Sequence, residues 1–217
     1  MSQEFYAPNV LQESRRMYDG IRAWAAENAA TIIGGWAVFE TVEERTHRQS
    51  RDADIVLHTL GACEALNAFL PKMDLVWGQD QRGRRMECHR KDDTEKQILV
   101  DVFTPTQFHS FFKWHSGDNI KSPPKGLIAP YDFLLNDKIA TVPKRQDRDA
   151  PFKKAKDLVD IRDLVFFNRD HVLPAASLKI SNRRARQLAA FEIPAALEAA
   201  PGFKTELNEA RDWLLKD

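Results

Sequence analysis

The sequence predicts an α/β fold of the α+β kind, in which a small mixed β-sheet precedes a C-terminal α-helical domain. In the first half, short runs of β-branched and aromatic residues are separated by turn residues, as in strands. From Tyr131 onward, apolar residues recur at helical spacing. Proline, glycine and aromatic residues fill 104–129, which predicts a connector. The predicted division is therefore a core domain over 1–105, a connector over 106–129 and a helical domain over 130–217.

Composition is that of an ordinary globular chain. Its 217 residues are 43% hydrophobic, which is enough to bury a sizeable core. The 32 basic and 32 acidic residues cancel, so any surface that attracts nucleic acid must be local. Cys63 and Cys88 have neither a zinc spacing nor the number needed for a disulfide framework. Since no membrane or targeting segment is evident either, we expect a cytoplasmic protein.

The elements of the first half follow from periodicity and from helix caps and breakers. Thr59 is expected to cap a helix that ends before Pro71. The turn at Asp92-Asp93 predicts that the strands on either side form a hairpin. The predicted helices cover 9–28, 36–44 and 59–70, and the predicted strands cover 31–33, 52–57, 74–79, 84–91 and 96–103.

In the second half, four segments have helical periodicity. They cover 131–142, 152–167, 181–191 and 204–216.

The candidate site begins at Gly34-Gly35, between the strand over 31–33 and the next helix. Paired glycines let the backbone approach a ligand closely, and the N–H groups that open a helix attract an anion. On the following strand, Asp52 and Asp54 are expected to project from the same side, because side chains alternate. Two adjacent carboxylates repel each other unless a cation lies between them, and their hard oxygens favour Mg²⁺ or Mn²⁺. The pattern therefore indicates a site where a metal ion meets a phosphate group.

A third carboxylate, Asp101, lies inside the apolar run QILVDVF over 97–103. A carboxylate in a half-buried strand is costly unless it has a partner. The predicted hairpin brings Asp101 beside the strand that carries Asp52 and Asp54.

Together, Gly34-Gly35, the D-x-D of Asp52 and Asp54, and the later Asp101 resemble the nucleotidyltransferase superfamily related to DNA polymerase β. GGWA followed by Arg45-Thr46-His47-Arg48 is similar to the aminoglycoside and lincosamide branches, although Trp36 stands where many members have serine. The resemblance implies that Asp52, Asp54 and Asp101 are catalytic and hold Mg²⁺ or Mn²⁺. It also implies that Gly34, Gly35 and Trp36 contact an NTP.

A second resemblance lies in DKIAT over 137–141 and KDLVDIRDL over 156–164, which are similar to the abortive-infection AbiEii-like toxins of the same superfamily. It implies that Lys138 contacts nucleotide phosphates and that Asp160 is its acidic partner. Asp157 is the alternative to Asp160, and the sequence leaves this choice open.

The acceptor of the nucleotide is the least determined part of the prediction. Two basic clusters could grip a phosphate backbone, which favours RNA as the acceptor and a toxin-like function with a possible antitoxin partner. The alternatives are an antibiotic nucleotidyltransferase and a non-catalytic, NTP-binding regulatory module. The clusters are Lys144, Arg145, Arg148, Lys153, Lys154 and Lys156, and then Arg183, Arg184 and Arg186.

Overall fold

The computed structural model describes residues 8–42, 50–79, 86–91, 99–108, 123–145, 150–167 and 182–215. The strands in this part of the chain are β1 (Ala30–Ile33), β2 (Ala53–Leu57), β3 (Leu75–Gln79), β4 (Met86–Arg90) and β5 (Val100–Phe103). The helices are α1 (Pro8–Glu27), α2 (Gly34–Thr41), α3 (Leu60–Phe69), α4 (Tyr131–Thr141), α5 (Ala150–Phe166), α6 (Asn182–Gln187), α7 (Ile193–Ala199) and α8 (Lys204–Leu214).

The five strands form one mixed sheet in the order β1-β2-β5-β4-β3. Strands β2 and β5 are parallel, and every other neighbouring pair is antiparallel. The predicted α/β class, with a small mixed sheet before a helical second half, is confirmed. The hairpin of β4 and β5 is confirmed too, although its predicted turn at residues 92–93 lies outside the described residues.

Part of the predicted connector is tied to the edge of the sheet. Ile128 forms a parallel bridge with Ile32 of β1. The Ile32 N–H donates to the Leu127 carbonyl at 2.8 Å, and the Ala129 N–H donates to the Ile32 carbonyl at 2.9 Å. Because α4 begins at Tyr131, these bonds set where that helix leaves the sheet.

One hydrophobic cluster extends through both halves of the chain. It includes Trp36 of α2, Ile55 of β2, Leu135 of α4 and Ile161 of α5, all with no exposed surface. Helix α2 contacts both α4 and α5, so it joins the sheet to the helical half. The domain boundaries at 105 and 130 stay a prediction.

Several boundaries differ from the predicted ones for local reasons. Helix α2 begins at Gly34, not Trp36, because Gly34 adopts a positive φ of 67° that lets the chain turn directly from β1 into the helix. Thr59 caps α3 as predicted, and its side chain accepts a hydrogen bond from the Ala62 N–H at 3.1 Å. After α6, a π-helical turn over Leu188–Glu192 continues into α7, past the predicted end at residue 191, and Pro194 lies in the first turn of α7, where proline is tolerated.

Among the described helices, none combines the length and the apolar character needed to cross a bilayer.

Candidate active site

Gly34 and Asp54 are in close contact where β1 meets α2. Ile33, the last residue of β1, is paired with Asp54 on β2, so Gly34 follows directly beside the Asp54 carboxylate. A Cβ atom at Gly34 would overlap that carboxylate, and the positive φ also disfavours any other residue. Glycine is therefore required here by both space and backbone conformation.

Asp54 and Asp101 lie side by side on the sheet. They are register partners on the parallel strands β2 and β5, so both side chains project from the same face. Asp101 is 3% exposed, whereas Asp54 is half-buried. The sequence predicted that Asp101 lies beside the strand of Asp52 and Asp54. The structure shows this proximity for Asp54 and Asp101.

Asp52 lies one residue before β2, so strand alternation does not fix its direction. Its Oδ1 atom accepts a hydrogen bond from the Ser50 hydroxyl at 3.3 Å, and Ser50 is buried. Sequence analysis did not single out Ser50, although a serine two residues before an acidic residue is a common local partner. Ser50 therefore restrains the Asp52 carboxylate just before β2.

The donor set of Asp54 and Asp101 suits Mg²⁺, which is usually held by one or two carboxylates together with substrate phosphates and water. Among the described residues, no group of three or more acidic, histidine or cysteine side chains is arranged around a single ion position. Asp54 and Asp101 therefore fit as a two-carboxylate site, and Asp52 as a third ligand stays a prediction.

Glu87 adds another carboxylate to the same row of the sheet. It is the register partner of Asp101 on β4, so it shares the face that carries Asp54 and Asp101. Sequence analysis did not find Glu87, because a one-residue change in hairpin register would move it to the opposite face.

The Trp36 ring belongs to the core. It has no exposed surface, stacks on Tyr18 with ring centroids 4.2 Å apart, and meets the edge of Phe39 at 5.3 Å. Gly35, the second residue of α2, is also buried. The part that Trp36 could offer to a nucleotide is consequently its backbone at the start of α2.

Lys138 lies between two buried carboxylates. Its Nζ atom is 2.9 Å from Asp157 Oδ1 and 2.7 Å from Asp160 Oδ2. Lys138 is 6% exposed and each aspartate is 1% exposed. The sequence left open whether Asp157 or Asp160 is the acidic partner of Lys138. Both are, because they share its ammonium group.

Arg145 extends this cluster toward the sheet. Its Nε and Nη2 atoms lie 3.0 and 2.9 Å from Asp157 Oδ2. The Asp157 carboxylate is the main cause of the raised pKa of Arg145, and Asp137 and Asp54 raise it further. The charge of Asp54 thus contributes to the electrostatics of Arg145 as well. Sequence analysis placed Arg145 only in a basic run.

Asp137 has a pKa well above the ordinary value of an aspartate. Burial, followed by the charge of Asp157, raises its pKa to about 6, against the lowering effects of Lys138, Arg145 and a hydrogen bond from Thr141. Its protonation therefore changes the charge beside Lys138 within a moderately acidic range.

The basic residues that were predicted to bind the acceptor differ in their contacts. Lys154 is committed to an ion pair with Glu192 at 2.7 Å. Lys144 lies close enough to Arg184 that burial and this second cation lower its pKa. Arg148 lies outside the described residues, as does the segment Arg45-Thr46-His47-Arg48 that carried part of the resemblance to the antibiotic nucleotidyltransferases. Lys144, just after α4, and Arg184, on α6, thus bring basic residues of two distant segments close enough to affect each other.

No protein-family model matches the chain, and no curated protein matches it significantly in sequence. The solved structures that are similar in three dimensions include the following two. The crystal structure of JHP933 from Helicobacter pylori matches with a TM-score of 0.52 and 14% identity, over 96% of this chain and 91% of that one. An antigenic nucleotidyltransferase-like protein from Paracoccidioides brasiliensis matches over 94% of each chain at 16% identity, with a TM-score of 0.45 that is too low to support an argument. The chain therefore shares an overall fold with JHP933, and its chemistry has to be argued from its own residues.

Proposed function

We propose that the chain is a metal-dependent nucleotidyltransferase, which moves an NMP from an NTP to an acceptor hydroxyl group. The observation that carries this proposal is the contact of Gly34 with Asp54, beside the in-register pair of Asp54 and Asp101. It combines a backbone that a phosphate can approach closely with two adjacent oxygen ligands.

Each element of the site has a separate task in this reaction. The N–H groups at the start of α2 bind a phosphate of the NTP, because the first N–H groups of a helix lack partners within it and lie at its positive end. Asp54 and Asp101 hold Mg²⁺ or Mn²⁺, with Asp52 as the expected third ligand. When bound, the metal ion stabilises the charge that develops on the phosphate and on the leaving pyrophosphate. Asp101 also orients the acceptor hydroxyl or removes its proton.

Lys138 and Asp160 complete the nucleotide site in this proposal. An ammonium group has three donors, which suits phosphate oxygens, and the two buried aspartates fix its position. Arg145 supplies a second positive charge near Asp54, and its side chain is 32% exposed.

The acceptor that we propose is RNA, in a toxin-like activity for which an antitoxin partner would be expected. What supports it is the approach of Arg184 to Lys144, together with Arg183 and Arg186, which are exposed at the surface of the same helix α6. Such a surface suits a phosphate backbone better than a small antibiotic.

The experiment is to incubate the protein with each labelled NTP, Mg²⁺ or Mn²⁺, and either total RNA or a panel of aminoglycosides and lincosamides. Label is expected in RNA, and Asp54→Ala should abolish the transfer while Asp19→Ala, at an exposed position of α1, leaves it unchanged. Label in an antibiotic but not in RNA would establish the alternative acceptor. No transfer to any acceptor would favour a non-catalytic, NTP-binding module.

A further inference from the structure

A second candidate binding site lies at the end of the sheet opposite Asp54. Along the β1 and β2 pair, Ile33 and Asp54 mark one end, and Ala30 and Leu57 mark the other. A cavity of about 250 Å³ opens beside Ala30, where the end of α1, the end of β2 and residues 125–127 converge. Its walls are alanine methyl groups and Leu127, and its polar side chains are those of Asn28, His58 and Lys125.

A hydrogen-bond network under the cavity fixes the tautomer of His58. The Thr31 hydroxyl is 2.5 Å from the Gly126 carbonyl oxygen, 3.3 Å from the Pro124 carbonyl oxygen and 2.8 Å from His58 Nε2. A hydroxyl has one proton and a carbonyl can only accept, so the Thr31 proton goes to a carbonyl oxygen. His58 Nε2–H then donates to Thr31, which leaves Nδ1 as the nitrogen that gains or loses the proton.

The charges around the cavity favour an anion. Burial and the nearby Lys125 lower the pKa of His58, so the imidazole is neutral at pH 7. The Asn28 N–H and its side-chain amide donate to the Ala25 and Trp24 carbonyls at 3.3 and 2.7 Å, which satisfies carbonyl groups at the negative end of α1. None of the described residues that line the cavity is acidic. An entering anion would meet a lysine and an imidazole able to take up a proton.

We propose that this cavity binds a small organic anion, whose carboxylate or phosphate group contacts Lys125 and His58 and whose apolar part lies against the alanine wall. The volume suits one ring-sized group, since it is below the roughly 300–1,000 Å³ of sites for drug-sized ligands. The site is separate from the proposed nucleotide site. It nevertheless contacts the segment that bridges to β1 and leads into α4, the helix of Lys138.

The test is an NMR titration of the His58 ring with phenyl phosphate as the probe, and His58→Gln assigns its signal among the six histidines. At saturating phenyl phosphate, we expect the pKa of His58 to rise by about one unit. By linkage, this corresponds to roughly tenfold tighter binding to the protonated ring than to the neutral ring. Inorganic phosphate should give a smaller shift at the same concentration, and benzyl alcohol should give none.

Lys125→Gln is expected to remove most of this shift, whereas Lys72→Gln, at another exposed lysine, should preserve it. Circular dichroism checks that both variants remain folded. A pKa of His58 that phenyl phosphate leaves unchanged would overturn the proposal, as would an equal shift in Lys125→Gln. An equal shift with inorganic phosphate would overturn the part that assigns an organic ligand.

Discussion

Lys138, to which the proposed function gives a role in nucleotide binding, also lies in a buried ion-pair cluster that affects folding. Its ammonium lies between Asp157 and Asp160, and all three are almost fully buried. Taking these charges out of water is costly, and the cost is offset only while the partners remain together. A substitution at Lys138 is therefore expected to act on folding as well as on nucleotide binding.

We predict that Lys138→Ala lowers the free energy of unfolding by about 3–5 kcal/mol, because two buried carboxylates lose a shared partner. Chemical denaturation measures the change. Lys72→Ala, at an exposed position, should stay within about 0.5 kcal/mol of the parent protein. Equal stability of Lys138→Ala and the parent would mean that the ion pairs contribute nothing net. NTP binding by Lys138→Ala should be measured only where the variant is folded.

Asp137 predicts a specific pH dependence of stability. Its pKa rises from 3.8 to about 6 in the folded protein, so the folded state holds this proton more tightly than the unfolded chain does. The contribution of Asp137 to stability is consequently greatest below the lower value and falls as the pH rises through that window. Asp137→Asn cannot ionise, so its melting temperature relative to the parent should increase from pH 4 to pH 7. A pH-independent difference would show that Asp137 has an ordinary pKa.

Gly34→Ala tests the contact between Gly34 and the Asp54 carboxylate, at the turn that is proposed to bind a phosphate of the NTP. The added Cβ would overlap the Asp54 carboxylate, and the left-handed backbone alone costs roughly 1–2 kcal/mol. We expect loss of NTP binding together with a lower melting temperature. Gly61→Ala is the matched control, because its Cβ would lie 3.9 Å from Thr59 Oγ1 inside α3 and should stabilise that helix by up to about 1 kcal/mol. Full NTP binding by Gly34→Ala would exclude this loop from the site.

At the scale of elements, the register of β2 with β5 makes the site. The sequence predicted both strands, because each is a short run of β-branched residues, and it predicted their acidic residues. It could not predict that Asp54 pairs with Asp101, or that Glu87 joins the row, because register depends on pairing across the sheet. The same limit applies to Asp52. Strand alternation would set the direction of its side chain only if β2 began at residue 52, and β2 begins at Ala53.

The cluster on α4 and α5 was only partly predictable for another reason. Resemblance to known motifs singled out Lys138, Asp157 and Asp160, but their burial and shared contact follow from how the two helices pack. Arg145 lies just after α4, where sequence alone gives no reason to separate it from the other basic residues nearby. Its ion pair with Asp157 depends on how α5 packs against residues 142–144.

For the whole molecule, the continuous hydrophobic cluster predicts cooperative unfolding. The sheet and the helical half share this cluster through α2, so neither half buries its apolar surface alone. We expect a single thermal transition, with the calorimetric enthalpy equal to the van't Hoff enthalpy. Two separated transitions would instead favour independent domains on either side of the predicted connector.

Metal-dependent nucleotide binding is the central claim about the molecule, and calorimetric titration with a non-hydrolysable NTP tests it most directly. The titration compares Mg²⁺ with a chelator, in the parent protein and in Asp101→Asn. We predict that the parent binds the NTP only with Mg²⁺ and that Asp101→Asn, which keeps the shape of the side chain, loses this binding. Undiminished NTP binding in the presence of the chelator would contradict the account.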